Sequence, residues 1–161
     1  IYQIGENNFL NNCKTSGVDG CIVVDYPYPE NKNFAEKCKK KSINFIQLIS
    51  PTTSIERTKK ILKVSHDMVY YISMLSTTGG KLKVSPKKIL QNYNKIRKIN
   101  PNKNVVIGFG ITDKTISSLK SAQGLVCGSF LCKTITDSLR LRHNPAEKLG
   151  KVVYNLKKKI L

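Results

Sequence analysis

A chain of 161 residues with 40% hydrophobic content is sized for one domain, residues 1–161, with a sizeable core. It holds no apolar run near the ~18 residues of a membrane span, and its net charge of +18 comes mostly from lysines spread along its whole length. Scarce arginine, no zinc-finger spacing and no aromatic RNA-binding segment argue against specific nucleic-acid recognition, leaving nonspecific adhesion to polyanions as what the charge implies.

In chain order, a first helix is expected near Glu6 to Thr15, before the apolar run Cys21 to Asp25 and the turn-rich Tyr26-Pro27-Tyr28-Pro29. A Lys-rich helical stretch follows from about Asn31 to Lys41. The second run, Ile43 to Ser50, stops at Pro51, and Ser54 is placed to cap a helix over residues 55–64. Met68 to Ser73 is the third run. Ser85 and Pro86 form an N-cap and first-turn pair for the next helix, whose Ile89, Tyr93 and Ile96 share one face opposite Lys87, Lys88, Lys95 and Lys98. The fourth run, Asn104 to Gly110, leads through Thr112 to another expected helix, and Gly124 to Ser129 is the fifth. Asn144, Pro145 and Glu147 start a last helix with Leu149, Val153, Leu156 and Ile160 as its expected stripe.

Five short continuous apolar strands alternating with amphipathic helices specify parallel βα units, in an open sheet or part of a barrel. The similar unit lengths favour the barrel. A (β/α)8 barrel takes eight strands and about 250 residues, so five runs amount to an incomplete one. Two open edges and an uncovered interior face would make such an arc poorly soluble. The five cysteines have no CxxC spacing, which suits a reducing cytosol; Cys21 and Cys127 are expected in the core. His66 and His143 are isolated in sequence and expected at the surface, so no metal site is read here.

Three glycine-bearing loops fall at strand exits: Thr78-Gly79-Gly80, Gly108-Phe109-Gly110 and Gly128-Ser129. Each can bare backbone N–H groups, and a helix start behind them adds the positive end of its dipole. Barrels often hold phosphate after their last two strands. The alternative is that these are merely tight turns, because the third glycine of a dinucleotide fingerprint is missing.

Taken in order, Gly17-Val18-Asp19-Gly20 with Asp25 and Pro27, then YYISMLSTTGG, IGFGIT and GLVCGSFLCKTI resemble the tryptophan synthase alpha chain family. The resemblance covers nearly the whole chain. It implies a (β/α)8 barrel, of which these residues are strands four to eight, that cleaves indole-3-glycerol phosphate to indole and glyceraldehyde 3-phosphate. It implies phosphate binding by Gly79, Gly110, Gly128 and Ser129, an indole pocket lined by Ile22, Ile49, Tyr70 and Phe109, and a closing loop carrying Thr78. Asp25 matches a strand-exit aspartate near the partner-facing end. The partner implied is a tryptophan synthase beta chain in an α2β2 tetramer. Pyridoxal phosphate would belong to that partner and no cofactor to this chain.

The sequence departs from the family at Ser76, where a glycine is usual, and at Gln123, where an acidic residue often stands. The family's two catalytic carboxylates map upstream of Ile1, so no catalytic residue is assigned. The chain is expected to be the C-terminal part of a cytoplasmic lyase, inactive alone. A related phosphate-binding barrel, or a non-enzymatic basic protein, are the competing readings.

Overall fold

The computed structural model describes residues 1–73 and 84–161. Among them are six parallel strands and six α-helices. The order is α1 (Glu6–Thr15), β1 (Gly20–Cys21), α2 (Lys32–Lys40), β2 (Asn44–Phe45), β3 (Gln47–Ile49), α3 (Ile55–Val64), β4 (Met68–Ile72), α4 (Pro86–Ile99), β5 (Asn104–Gly108), β6 (Gly124–Val126), α5 (Ser129–Arg140) and α6 (Pro145–Lys158). The helix starts follow from local chemistry. Ser54 Oγ accepts the Arg57 amide at 3.2 Å and Ser85 Oγ that of Lys88 at 3.3 Å. Asn144 Oδ1 takes the Ala146 amide at 3.0 Å, with Pro145 fixing φ in the first turn.

Strands pair in sequence order in two sets, β1 with β2, and β3, β4, β5 and β6 one after another, forming an open arc of a barrel. The second apolar run is shared between neighbours: its first half, β2, pairs with β1, and its second half, β3, pairs with β4. Register decides which side chains meet. Ile49, Tyr71 and Ile107 stand in one row and are buried with Ile61, Leu62, Ile89, Tyr93 and Ile96 of the covering helices. Leu48, Tyr70 and Val106 stand in the adjacent row, facing the opposite side, since side chains alternate along a strand. On that side Val126 remains exposed, and beyond the end of β1 so do Ile22 and Val24. A second cluster, with Leu10, Phe34, Cys38, Ile43 and Phe45, seals α1 and α2 against β1 and β2, and Phe34 meets Phe45 edge-on at 5.5 Å.

Several expectations are corrected. The first run is a strand only at Gly20–Cys21; by Val24 and Asp25 the chain is already in a turn. After Thr112 stands a single 3₁₀ turn, Ile116–Leu119, in place of a helix. In α6 the inner stripe is Leu149, Val152 and Leu156, while Val153 faces outward and Ile160 lies exposed beyond the helix end. His66 is half-buried: its Nδ1 accepts the Phe45 amide at 3.0 Å. Burial, then the Lys39 charge, hold its pKa below the usual imidazole value. Cys13 and Cys38 are the deeply buried thiols, while Cys21 and Cys127 are only partly covered. No helix among the described residues is long and apolar enough to cross a membrane.

Candidate functional site

The residues Gly108, Phe109 and Gly110 leave β5 through a left-handed turn, with φ of 71° at Phe109 and 67° at Gly110. A phenylalanine there is strained, and neighbours must hold it. Ser73, fully buried at the end of β4, does so: its Oγ lies 2.8 Å from the Gly108 carbonyl oxygen and 2.7 Å from that of Phe109, and its amide donates to Gly108 at 3.1 Å. Thr115 Oγ1 donates to the Gly110 carbonyl at 2.9 Å. With these carbonyls occupied, the amides of Gly110 and Ile111 are what the turn has to offer a ligand.

The two glycines of the turn have different tasks. A Cβ on Gly108 would stand 1.7 Å from the Tyr70 hydroxyl oxygen, because the Tyr70 ring lies across that position. The first bare position therefore admits a tyrosine rather than a phosphate; Gly110 alone needs glycine for its backbone angle. Tyr70 meets Phe109 edge-to-face with centroids 6.4 Å apart, and burial pushes its phenol pKa up, keeping it protonated.

One strand further along, Gly128 caps α5, and its carbonyl accepts the amides of Leu131 and Cys132 at 3.0 and 3.1 Å. The Ser129 and Phe130 amides have no intrahelical acceptor at that position, and they carry the positive end of a helix of 12 residues. These parts border a single cavity of about 370 Å³. Tyr70, Phe109, Ile111, Val126 and Phe130 make its apolar wall; Gly110, Thr112, Gly128, Ser129 and Lys133 make its polar end. Such an arrangement fits a small molecule with a flat apolar part and an anionic tail.

Among the expected site residues, Tyr70, Phe109, Gly110, Gly128 and Ser129 come together here. Ile49 does not: register turns it into the helix-side core beside Tyr71. Ile22 lies just beyond the end of β1, exposed and outside the cavity lining. Asp25 occupies an exposed turn. Gly79, Thr78 and Ser76 lie outside the described residues. Gln123, where an acidic residue was the family pattern, has a role of its own: its Oε1 accepts the Val105 amide at 2.9 Å and fastens the start of β5. Ser73, Thr115 and Lys133 were missed. Lys133 was within reach of the sequence, standing one helical turn after Ser129.

Ser73→Ala should lower stability by about 1–3 kcal/mol, since it strips the hydroxyl donor from two buried carbonyls behind a strained turn. Thermal unfolding checks this. A midpoint equal to that of the parent would mean the turn holds itself.

Residues 1–160 match the family model described as "Tryptophan synthase alpha chain". The tryptophan synthase alpha chain of Pelagibacter ubique is 69% identical over 99% of this chain and 60% of its own length. That of Pyrococcus furiosus is 38% identical over 87% of this chain and 57% of its own. Among solved structures, the alpha subunit from Legionella pneumophila superposes with a TM-score of 0.86 at 25% identity, covering 99% of this chain and 58% of that one. A structure from work on the Pyrococcus furiosus tryptophan synthase a2b2 complex gives 0.82 at 35% identity, covering 98% of this chain and 63% of that one. The chain thus spans about 60% of the length of the curated relative that it matches at 69% identity.

Proposed function

The chain belongs to the tryptophan synthase alpha chain family, and from that membership we propose that it serves a lyase cleaving indole-3-glycerol phosphate to indole and glyceraldehyde 3-phosphate. The observation that carries the proposal is the shared cavity: an anion-binding end at Gly110, Gly128 and Ser129 faces an aromatic wall of Tyr70 and Phe109. In this reading the phosphate accepts hydrogen bonds from the amides of Gly110, Ser129 and Phe130, and the α5 dipole supplies the favourable field. The indole ring lies against Phe109 and Tyr70, whose phenol stays neutral. The resemblance adds Gly79 to the phosphate contacts and Thr78 to a closing loop, both outside the described residues.

Retro-aldol cleavage needs proton transfers at the indole ring and at the glycerol hydroxyl. None of the described residues lining the cavity is a carboxylate, so these residues bind and orient but are assigned no proton transfer. The partner in this reading is a tryptophan synthase beta chain in an α2β2 assembly, and pyridoxal phosphate belongs to that partner. The free cysteines support a reducing, cytoplasmic setting.

Gly128→Val tests the cup. Its φ of −81° suits any residue, and a Cβ there meets no atom within 4 Å. The fold should survive, while the new side chain takes space that the phosphate needs. Glycerol phosphate affinity, measured by calorimetry, should fall about tenfold or more, equivalent to at least ~1.4 kcal/mol. Unchanged affinity in a folded variant would remove the cup from the site.

A further inference from the structure

Lys133 lies on the cavity with Gly128 and Ser129, one helical turn into α5, and its Nζ is held by Asp137 Oδ2 at 2.5 Å. Among the described residues lining that cavity it is the one cation. Lys133 lines the cavity beside Ser129 while its ammonium reaches forward to Asp137, and rotation about its flexible stem can carry the charge from one to the other. Its ammonium therefore has two anionic destinations, the carboxylate one turn ahead and whatever anion sits at the open helix end. The ion pair with Asp137 is exposed on both sides, and an exposed i,i+4 pair is weakly held. A phosphate dianion among neutral amides, in a partly apolar cavity, is the stronger partner.

We propose that Lys133 is a phosphate-binding residue of this site, held by Asp137 in the free chain and transferred to the phosphate when ligand enters. The inference rests on reading the cavity as a phosphate cup. It makes Asp137 a competitor that tunes affinity from outside the cavity lining, and it gives binding a charge-dependent component that backbone amides alone would not.

The test is calorimetric titration of the 161-residue chain with glycerol phosphate at low and moderate salt, using Lys133→Gln, Asp137→Asn and the double variant. Lys133→Gln should weaken binding about tenfold and flatten its dependence on salt. Asp137→Asn should tighten binding about threefold, and that gain should vanish when Lys133 is already Gln. Lys133→Gln with unchanged affinity and salt dependence overturns the proposal while leaving the cup intact. So does a gain from Asp137→Asn that persists without Lys133, because it would then reflect simple repulsion of the anion. If Lys133→Gln fails to fold, Asp137→Asn decides alone: no gain in affinity overturns the proposal. A parent chain that binds no glycerol phosphate overturns the cup itself, and Lys133 with it.

Discussion

Purified alone, the 161-residue chain is expected to release indole from indole-3-glycerol phosphate no faster than the uncatalysed reaction. Its cavity, as far as the described residues line it, offers amides, aromatic rings, hydroxyls and one ammonium group, and no carboxylate. A positioned acid or base contributes about 10²–10⁴-fold, so a site without either of two such groups forfeits about 10⁴–10⁸-fold. Binding survives that loss and turnover does not. Glycerol phosphate should therefore still bind to a chain that releases no indole. Adding the part of the Pelagibacter ubique relative that this chain does not match should restore indole release, and Gly128→Val in the reconstituted pair should lower it again. Indole production by the 161 residues alone would refute the assignment, because the proton-transfer groups would then lie among them.

Gly108→Ala should be the most damaging single methyl group in the described structure. The new Cβ would stand 1.7 Å from Tyr70 Oη and 2.1 Å from its Cζ, inside the ring's own volume. Because the clash reaches the ring itself, Tyr70→Phe gives no relief. Either the ring leaves its place against Phe109 or β4 and β5 separate, and overpacking of this kind costs about 1–3 kcal/mol. The expected results are a lower unfolding midpoint and weaker binding of indole compounds. In the double variant with Tyr70→Ala, the additional cost of Gly108→Ala should largely disappear, a coupling that a thermodynamic cycle reads directly. A Gly108→Ala chain that melts with the parent would show that Tyr70 does not occupy this position.

What was legible in the sequence was what local chemistry decides. Ser54, Ser85 with Pro86, and Asn144 with Pro145 mark helix starts within a turn of the chain, and helices begin there. The strand exits were equally visible through their glycines, so three of the four expected phosphate contacts converge on one cavity, the fourth lying outside the described residues. Facing was another matter. Ile49 and Leu48 are both apolar, and only the register against β4 shows which of them looks away from the helices. Val152 and Val153 pose the same choice in α6, decided by what lies beneath the helix. His66 meets Phe45 across 21 positions of sequence, a distance no local pattern spans. The segment after Thr112 carries too little apolar periodicity to sustain a helix and closes into one 3₁₀ turn over Ile116–Leu119.

The nearest-neighbour ladder, in which every strand pairs only with those before and after it in the chain, gives the protein a linear grammar. Among the described residues, each βα unit is a clause that exchanges strand hydrogen bonds only with an adjacent clause. The turn after β5 borrows Ser73 from the clause before and shares its cavity with Gly128 from the clause after. Among the described residues, the proposed anion site is thus confined to three successive clauses, from β4 to α5. Recombination that exchanges units at either end of the arc should alter what surrounds the ligand while leaving the proposed phosphate site in place.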